Sequence, residues 1–122
     1  MSISLKRVYD PPAAEDGYRV LVDRLWPRGL THAAAHVDLW LPDIGPSTGL
    51  RKWYDHDVER WPEFQARYAD ELNDHGELLD LLQDLDRHHP RVTLLFGARD
   101  RDHNEAQVIV DALRARPLHS HR

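Results

Sequence analysis

Two short stretches of this 122-residue chain carry the residue types from which a site could be built. The first is Arg24-Leu25-Trp26-Pro27-Arg28-Gly29, which follows an apolar run. The second is Arg99-Asp100-Arg101-Asp102-His103-Asn104, which follows another such run and opens a helical pattern. Guanidinium groups are planar forks that match a carboxylate or phosphate with two hydrogen bonds. A helix start adds free N–H groups and the positive end of the helix dipole. If both stretches leave a sheet at the same edge, Arg24, Arg28 and Arg99 converge on that helix start and hold an anion, with Asn104 beside them. Trp26, next to Pro27 in a turn, would stack on a ring or close over a small core. Asp23 ends an apolar strand, where a carboxylate is desolvated unless paired. It is therefore either an acid/base group or half of a clasp, and Arg24 could pair with it or with Asp10. His103 is the second proton carrier.

Other groups invite chemistry less directly. His32 and His36 share a helix face, and Asp100, Asp102 and His103 mix carboxylates with imidazole, but neither set has the spacing of a zinc motif, so no metal site is assigned. His56, between Asp55 and Asp57, could act as a general base, or be exposed beside a helix cap. Ser47 lacks the Gly-x-Ser-x-Gly elbow and reads as a cap. Arg51, Lys52 and Trp53 could form a stacking and phosphate patch. His119 and His121 fall in the tail. There is no Gly-rich nucleotide loop, and no cofactor is identified.

The elements that must position these groups follow from periodicity. Residues 3–8 and 18–23 read as strands, the second rich in apolar and β-branched side chains. Thr31 caps a short helical turn through residue 36, and residues 37–41 are a short apolar segment. Ser47 and Thr48 introduce a helix over residues 49–54. Asp57 and Pro62 stand near the start of the next helix, whose stripe is Trp61, Phe64, Tyr68 and Leu72. Asp74 and Glu77 have capping-box spacing, followed by the stripe Leu78, Leu81, Leu82 and Leu85. Residues 92–96 are a continuous apolar run, the mark of a strand buried on both faces. Asp102 and Glu105 form a second capping-box spacing before a helix with Ala106, Ile109, Val110 and Leu113 inward. Pro117 stops that helix. The expected fold is therefore α/β: a single layered domain, residues 1–117, with a mainly parallel sheet flanked by helices. Residues 118–122 are expected to be a disordered tail.

Composition narrows the classes. With no cysteine, disulfide scaffolds, thiolate metal sites and cysteine nucleophiles are excluded. No apolar run approaches the ~20 residues of a membrane span, and the first residues lack a signal peptide's apolar stretch. A cytoplasmic protein with no membrane partner is expected. The net charge is −5, but residues 63–86 hold eight acids against Arg67 alone, so that stretch carries −7 and the remainder +2. The acids fall at helical spacing and read as a solvated outer face. An acidic total disfavours nucleic acid, whose nonspecific binding rests on neutralised phosphates.

Several strings resemble the YeaO-like branch of the domain-of-unknown-function 488 (DUF488) family: Arg7-Val8-Tyr9-Asp10, the run Leu21 to Gly29 (LVDRLWPRG), Pro46-Ser47-Thr48 with Leu50-Arg51-Lys52-Trp53-Tyr54, His56-Asp57, Arg60-Trp61, Phe64, Tyr68, and His103-Asn104-Glu105-Ala106. The likeness spans residues 3–113. It implies no established activity or catalytic residue. A thiol-based role belonging to a Cys-containing branch does not transfer, because this chain has no cysteine. Three readings stay open. One is a small enzyme for a phosphate- or carboxylate-bearing molecule, with Asp23 and His103 catalytic and Arg24, Trp26, Arg28, Arg99 and Asn104 binding. The second is a nucleic-acid module using Arg and Trp loops. In the third, the shared motifs mainly hold the fold. Oligomeric state and substrate are not written in the chain.

Overall fold

The structure, a computed structural model, describes residues 2–116. Its strands are β1 (Ile3–Arg7), β2 (Tyr18–Leu21), β3 (Leu39–Trp40) and β4 (Val92–Phe96). Its helices are α1 (His32–Ala35), α2 (Thr48–Tyr54), α3 (Trp61–Asn73), α4 (Gly76–His88) and α5 (Glu105–Ala115), with single 3-10 turns over Ala14–Asp16, Pro42–Ile44 and Val58–Arg60. The expected tail lies outside the described residues. No helix among the described residues is long and apolar enough to cross a membrane.

The sheet is wholly parallel, in the order β1-β4-β2-β3. All five residues of β4 are buried, as its unbroken apolar run demands of a central strand covered on both faces. β4 pairs with β1 from Ile3↔Val92 to Arg7↔Phe96, and with β2 from Tyr18↔Val92 to Leu21↔Leu95. Alternation along the strands divides the core. Val20, Val22, Leu94 and Phe96 face a large cluster built with α2 to α5, whereas Leu21 and Leu95 face a smaller one with Val8, Ala35, Trp26 and Trp40.

On that second face the polar residues are tied together. Asp16 accepts from Lys6 Nζ at 2.9 Å and pairs with Arg19, while Thr93 Oγ1 donates to the Asp16 carbonyl at 2.7 Å. Arg19 also donates to the His36 and Ala35 carbonyls, each at 2.9 Å. Burial pushes the Asp16 carboxyl up, but Lys6, the Ala13 N–H and Arg19 outweigh it and hold the group below its ordinary range.

The helix stripes hold with one shift. Phe64, Tyr68 and Leu72 of α3 are buried, as are Ala106, Ile109, Val110 and Leu113 of α5. In α4 the deeply buried leucines are Leu79 and Leu82, while Leu81 is only half-buried. Five leucines in eight positions offer two overlapping stripes, and packing selects between them. The second strand stops at Leu21, although the Val22 N–H still bonds the Leu95 carbonyl at 3.1 Å. Neither expected capping box forms. Asp74 ends α3 in a helical conformation, and α4 starts after His75 without a side-chain cap. The cap of α5 is Asn104, whose side chain accepts from the Gln107 N–H at 3.1 Å, so Glu105 is the first helical residue and Asp102 lies outside.

Candidate functional site

Because β2 and β4 are parallel neighbours, their carboxyl ends open on one rim, the usual ligand position in open α/β sheets. The two loops meet directly: the Gly97 N–H donates to Asp23 Oδ2 at 2.8 Å. A Cβ at Gly97 would lie 2.8 Å from that same oxygen, so any other residue there would push the carboxylate aside. Between the loops, α2 and the start of α5 lies a cavity of about 450 Å³. Asp23, Asp55 and Glu105 contribute carboxyl groups to its lining, and Arg24, Arg28, Arg51 and Lys52 contribute cations. Tyr54 and Phe64 add aromatic wall, while Leu25 and Tyr9, among the most exposed large apolar residues, stand at the same lining. Asp55 and His56 also line it, with φ of 45° and 57°, consecutive left-handed residues at the end of α2.

Six of the seven residues singled out from sequence line this cavity: Asp23, Arg24, Trp26, Arg28, His103 and Asn104. Arg99 is exposed and is not part of the lining. The six are not equally available to a ligand. Arg24 pairs with neither Asp10 nor Asp23. Its Nε donates to the Pro46 carbonyl at 2.9 Å and its Nη2 to the Gly45 carbonyl at 2.8 Å, clasping the loop before α2. Asn104 is buried and spends its amide on the α5 cap and on the Asp100 carbonyl at 3.1 Å. Trp26 donates to the Leu30 carbonyl at 2.7 Å, stacks on His32 and meets Trp40 edge-on, so it closes the smaller core. His103 Nδ1 sits 2.9 Å from Asp100 Oδ2, and its ring stands edge-on to Trp61. The backbone N–H groups of Asp102 and His103 hold the Asp100 carboxyl below its ordinary range.

Other arginines also act as clasps. Arg101 makes a two-pronged bridge to Asp10 at 2.8 and 3.0 Å, which lowers the Asp10 carboxyl, and Arg7 donates to the Ala98 carbonyl at 2.8 Å. By contrast, Arg28, Arg51 and Lys52 make no ion pair among the described residues. Among those residues, no group of three or more His, Asp or Glu is placed to hold a metal ion. Ser47 is a cap, accepting from the Leu50 N–H, and donates to Glu71 at 2.6 Å. Trp53 has Arg67 and Arg60 over its ring, at 4.5 and 5.3 Å from the centroid.

The residue that sequence reasoning passed over is Glu105. Its side chain lies within hydrogen-bonding reach of Asp23, which has one oxygen on Gly97 and the other, Oδ1, buried with no N–H or O–H donor from elsewhere among the described residues. Burial, and then the Asp23 charge, push the Glu105 carboxyl well above its ordinary range, with Arg51 opposing. The hydrogen bond with Asp23 favours the protonated form of Glu105; an unmet buried acceptor would cost about 1–3 kcal/mol. Nearby, the buried Tyr68 hydroxyl is raised by desolvation and then by Glu105, and donates to the Ile44 carbonyl at 2.6 Å. An acid at the first position of a helix normally reads as a partner for the helix dipole. Only the proximity of Asp23, far away in sequence, reveals the pair.

Fold and site together define a parallel α/β domain with a concave, mixed-charge cavity at the carboxyl ends of its central strands. The chain belongs to the DUF488 family, in its YeaO-like branch. The family model described as "Inactive DUF488-N3 subclade" matches residues 2–121. The chain is 43% identical over 115 residues to the uncharacterized protein YeaO of Escherichia coli (strain K12), covering 94% of this chain and 99% of the relative. It is 38% identical over 114 residues to the uncharacterized protein Mb3100c of Mycobacterium bovis and to Rv3073c of Mycobacterium tuberculosis H37Rv, covering 93% of this chain and 95% of each. No solved structure gives a significant match.

Proposed function

We propose that this domain is a cytoplasmic binding protein for a small organic molecule bearing a phosphate or carboxylate, held in the rim cavity. The observation that carries this reading is the contrast among the cations at that cavity. Arg24 is committed to backbone carbonyls, whereas Arg28, Arg51 and Lys52 line the cavity with no ion pair among the described residues. Three such cations on one concave surface form an electrostatic funnel for an anion. The volume suits a small ligand, since such sites run from roughly 300 to 1,000 Å³. Binding rather than turnover is favoured because the matching family is described as an inactive subclade.

A nucleic-acid module fits less well, because the cations ring a concavity and the Trp53 ring is already covered by two arginines. The test is calorimetric titration with inorganic phosphate and with acetate, alongside a 20-base single-stranded DNA at two salt concentrations. The reading expects saturable binding of at least one small anion, weakened tenfold or more in the Arg28→Ala/Arg51→Ala double variant while its unfolding midpoint stays unchanged. Tight DNA binding at low salt with no small-anion binding would contradict it.

A further inference from the structure

We infer that the anion enters this cavity attached to an aromatic ring, with Tyr9 as the stacking platform for that ring, Leu25 as a second apolar contact, and Arg28, Arg51 and Lys52 on the charged end. This rests on the anion-binding reading above and specifies the remainder of the ligand. The observation is where exposed apolar surface lies. Among the described residues the large apolar side chains left exposed are Tyr9, Leu25 and Val58. A single exposed apolar residue is ordinary. Here Tyr9 and Leu25, 41% and 59% exposed, line the same cavity as three cations that make no ion pair among the described residues.

Both side chains are held in place without being covered. The Tyr9 hydroxyl donates to the Arg28 carbonyl at 2.9 Å, and the Arg7 guanidinium lies over the ring, 5.1 Å from its centroid. Leu25 stands between two clasped residues, Arg24 on the Gly45 and Pro46 carbonyls and Trp26 on the Leu30 carbonyl. Groups fixed in this way lose little further freedom when a ligand covers them. The fold accounts for the other members of the Arg7-Val8-Tyr9-Asp10 string: Arg7 clasps the Ala98 carbonyl, Val8 is buried, and Asp10 bridges Arg101. The Tyr9 ring is the part it leaves in water.

Platform and charge are joined, because the residue that fixes the Tyr9 hydroxyl is Arg28 itself. Tyr54 and Phe64, with ring centroids 4.5 Å apart, extend the aromatic wall of the same cavity. A planar ring gains from offset stacking on such surfaces. A bare anion leaves Tyr9 and Leu25 in water, and a neutral ring leaves the cations unmet. The class selected is an aryl phosphate or an arylalkyl carboxylate. No covalent step is involved.

The experiment titrates two matched series calorimetrically into the full chain: methyl phosphate against phenyl phosphate, and acetate against phenylacetate, with benzyl alcohol as the neutral ring. In at least one series the phenyl member is expected to bind roughly tenfold more tightly, the scale of one aromatic stack with its buried area. Tyr9→Phe is expected to keep that preference and Tyr9→Leu to lose it. Equal affinities within both series, or a preference undiminished in Tyr9→Leu, would overturn the aromatic platform and leave the anion reading standing. Benzyl alcohol binding as tightly as the phenyl anions would overturn the anion reading and the combined ligand with it, and binding of no probe would overturn both. If Tyr9→Leu fails to fold, Leu25→Ser replaces it, since it alters an exposed side chain. It is expected to weaken the phenyl member roughly threefold while leaving the methyl member unchanged, and equal effects on the two would overturn the proposal.

Discussion

At the scale of single residues, the cavity is governed by a few contacts that tolerate little change. A methyl group at Gly97 would press on Asp23 Oδ2 at 2.8 Å and displace the carboxylate from the Gly97 N–H. Gly97→Ala is expected to cost about 1–3 kcal/mol, the scale of a displaced buried acceptor, measured by urea unfolding. Glu105 has a pH signature. Its carboxyl is raised above its ordinary value of 4.5, so the folded chain holds that proton more firmly than the unfolded chain. The stabilising contribution is complete below the unfolded value and is lost as pH rises through the raised one. Arg51 from α2, Tyr68 from α3 and Asp23 from the end of β2 are the charged or titratable groups acting around it. Glu105→Gln carries a donor that never ionises. Its stability is expected to fall less than that of the unaltered protein as pH climbs above the ordinary carboxylate range. Parallel stability curves for the two proteins would contradict the shared proton.

At the scale of elements, arginines hold the rim in place from behind. Arg24 joins the end of β2 to the loop before α2, and Arg19 with Asp16 joins β2 to the 3-10 turn and to α1. Removing one partner of a buried ion pair strands the other. Asp16→Ala is therefore expected to cost roughly 3–5 kcal/mol in urea unfolding. Asp16 also has the opposite pH sign to Glu105. Its carboxyl is held below 3.8, so its contribution is present above the unfolded value and fades as pH falls. The helix starts show where local reading runs out. Asp100, Asp102 and Asn104 can all cap, and spacing alone selects Asp102 with Glu105. The structure selects Asn104, because its backbone is extended there and its amide also reaches the Asp100 carbonyl. Asn104→Ala is expected to lose about 1 kcal/mol, and Asp102→Ala to stay within about 0.5 kcal/mol. The reverse order would restore the capping box.

At the scale of the whole molecule, strand identity and helix faces were legible because each is written in a local period. The β4 run and the stripes of α3 and α5 needed nothing from elsewhere in the chain. The strand order was not legible. Nothing near Val22 or Phe96 states that β4 inserts between β1 and β2, yet this insertion alone makes Asp23 and Gly97 neighbours. The Arg-rich loops were readable as a cluster, but the division of labour within it was not. Arg24, Arg101 and Arg7 serve the fold, Arg99 stands outside the cavity, and Arg51 and Lys52, read from sequence as a separate patch with Trp53, join the same cavity as Arg28. The most direct measurement is an NMR titration of isotope-labelled protein with inorganic phosphate. The account predicts progressive shifts confined to the rim, at the Gly97 amide and the Arg28 and Arg51 side-chain N–H groups. Unchanged rim signals at saturating phosphate, or shifts concentrated at the opposite end of the sheet around Tyr18 and Arg91, would contradict it.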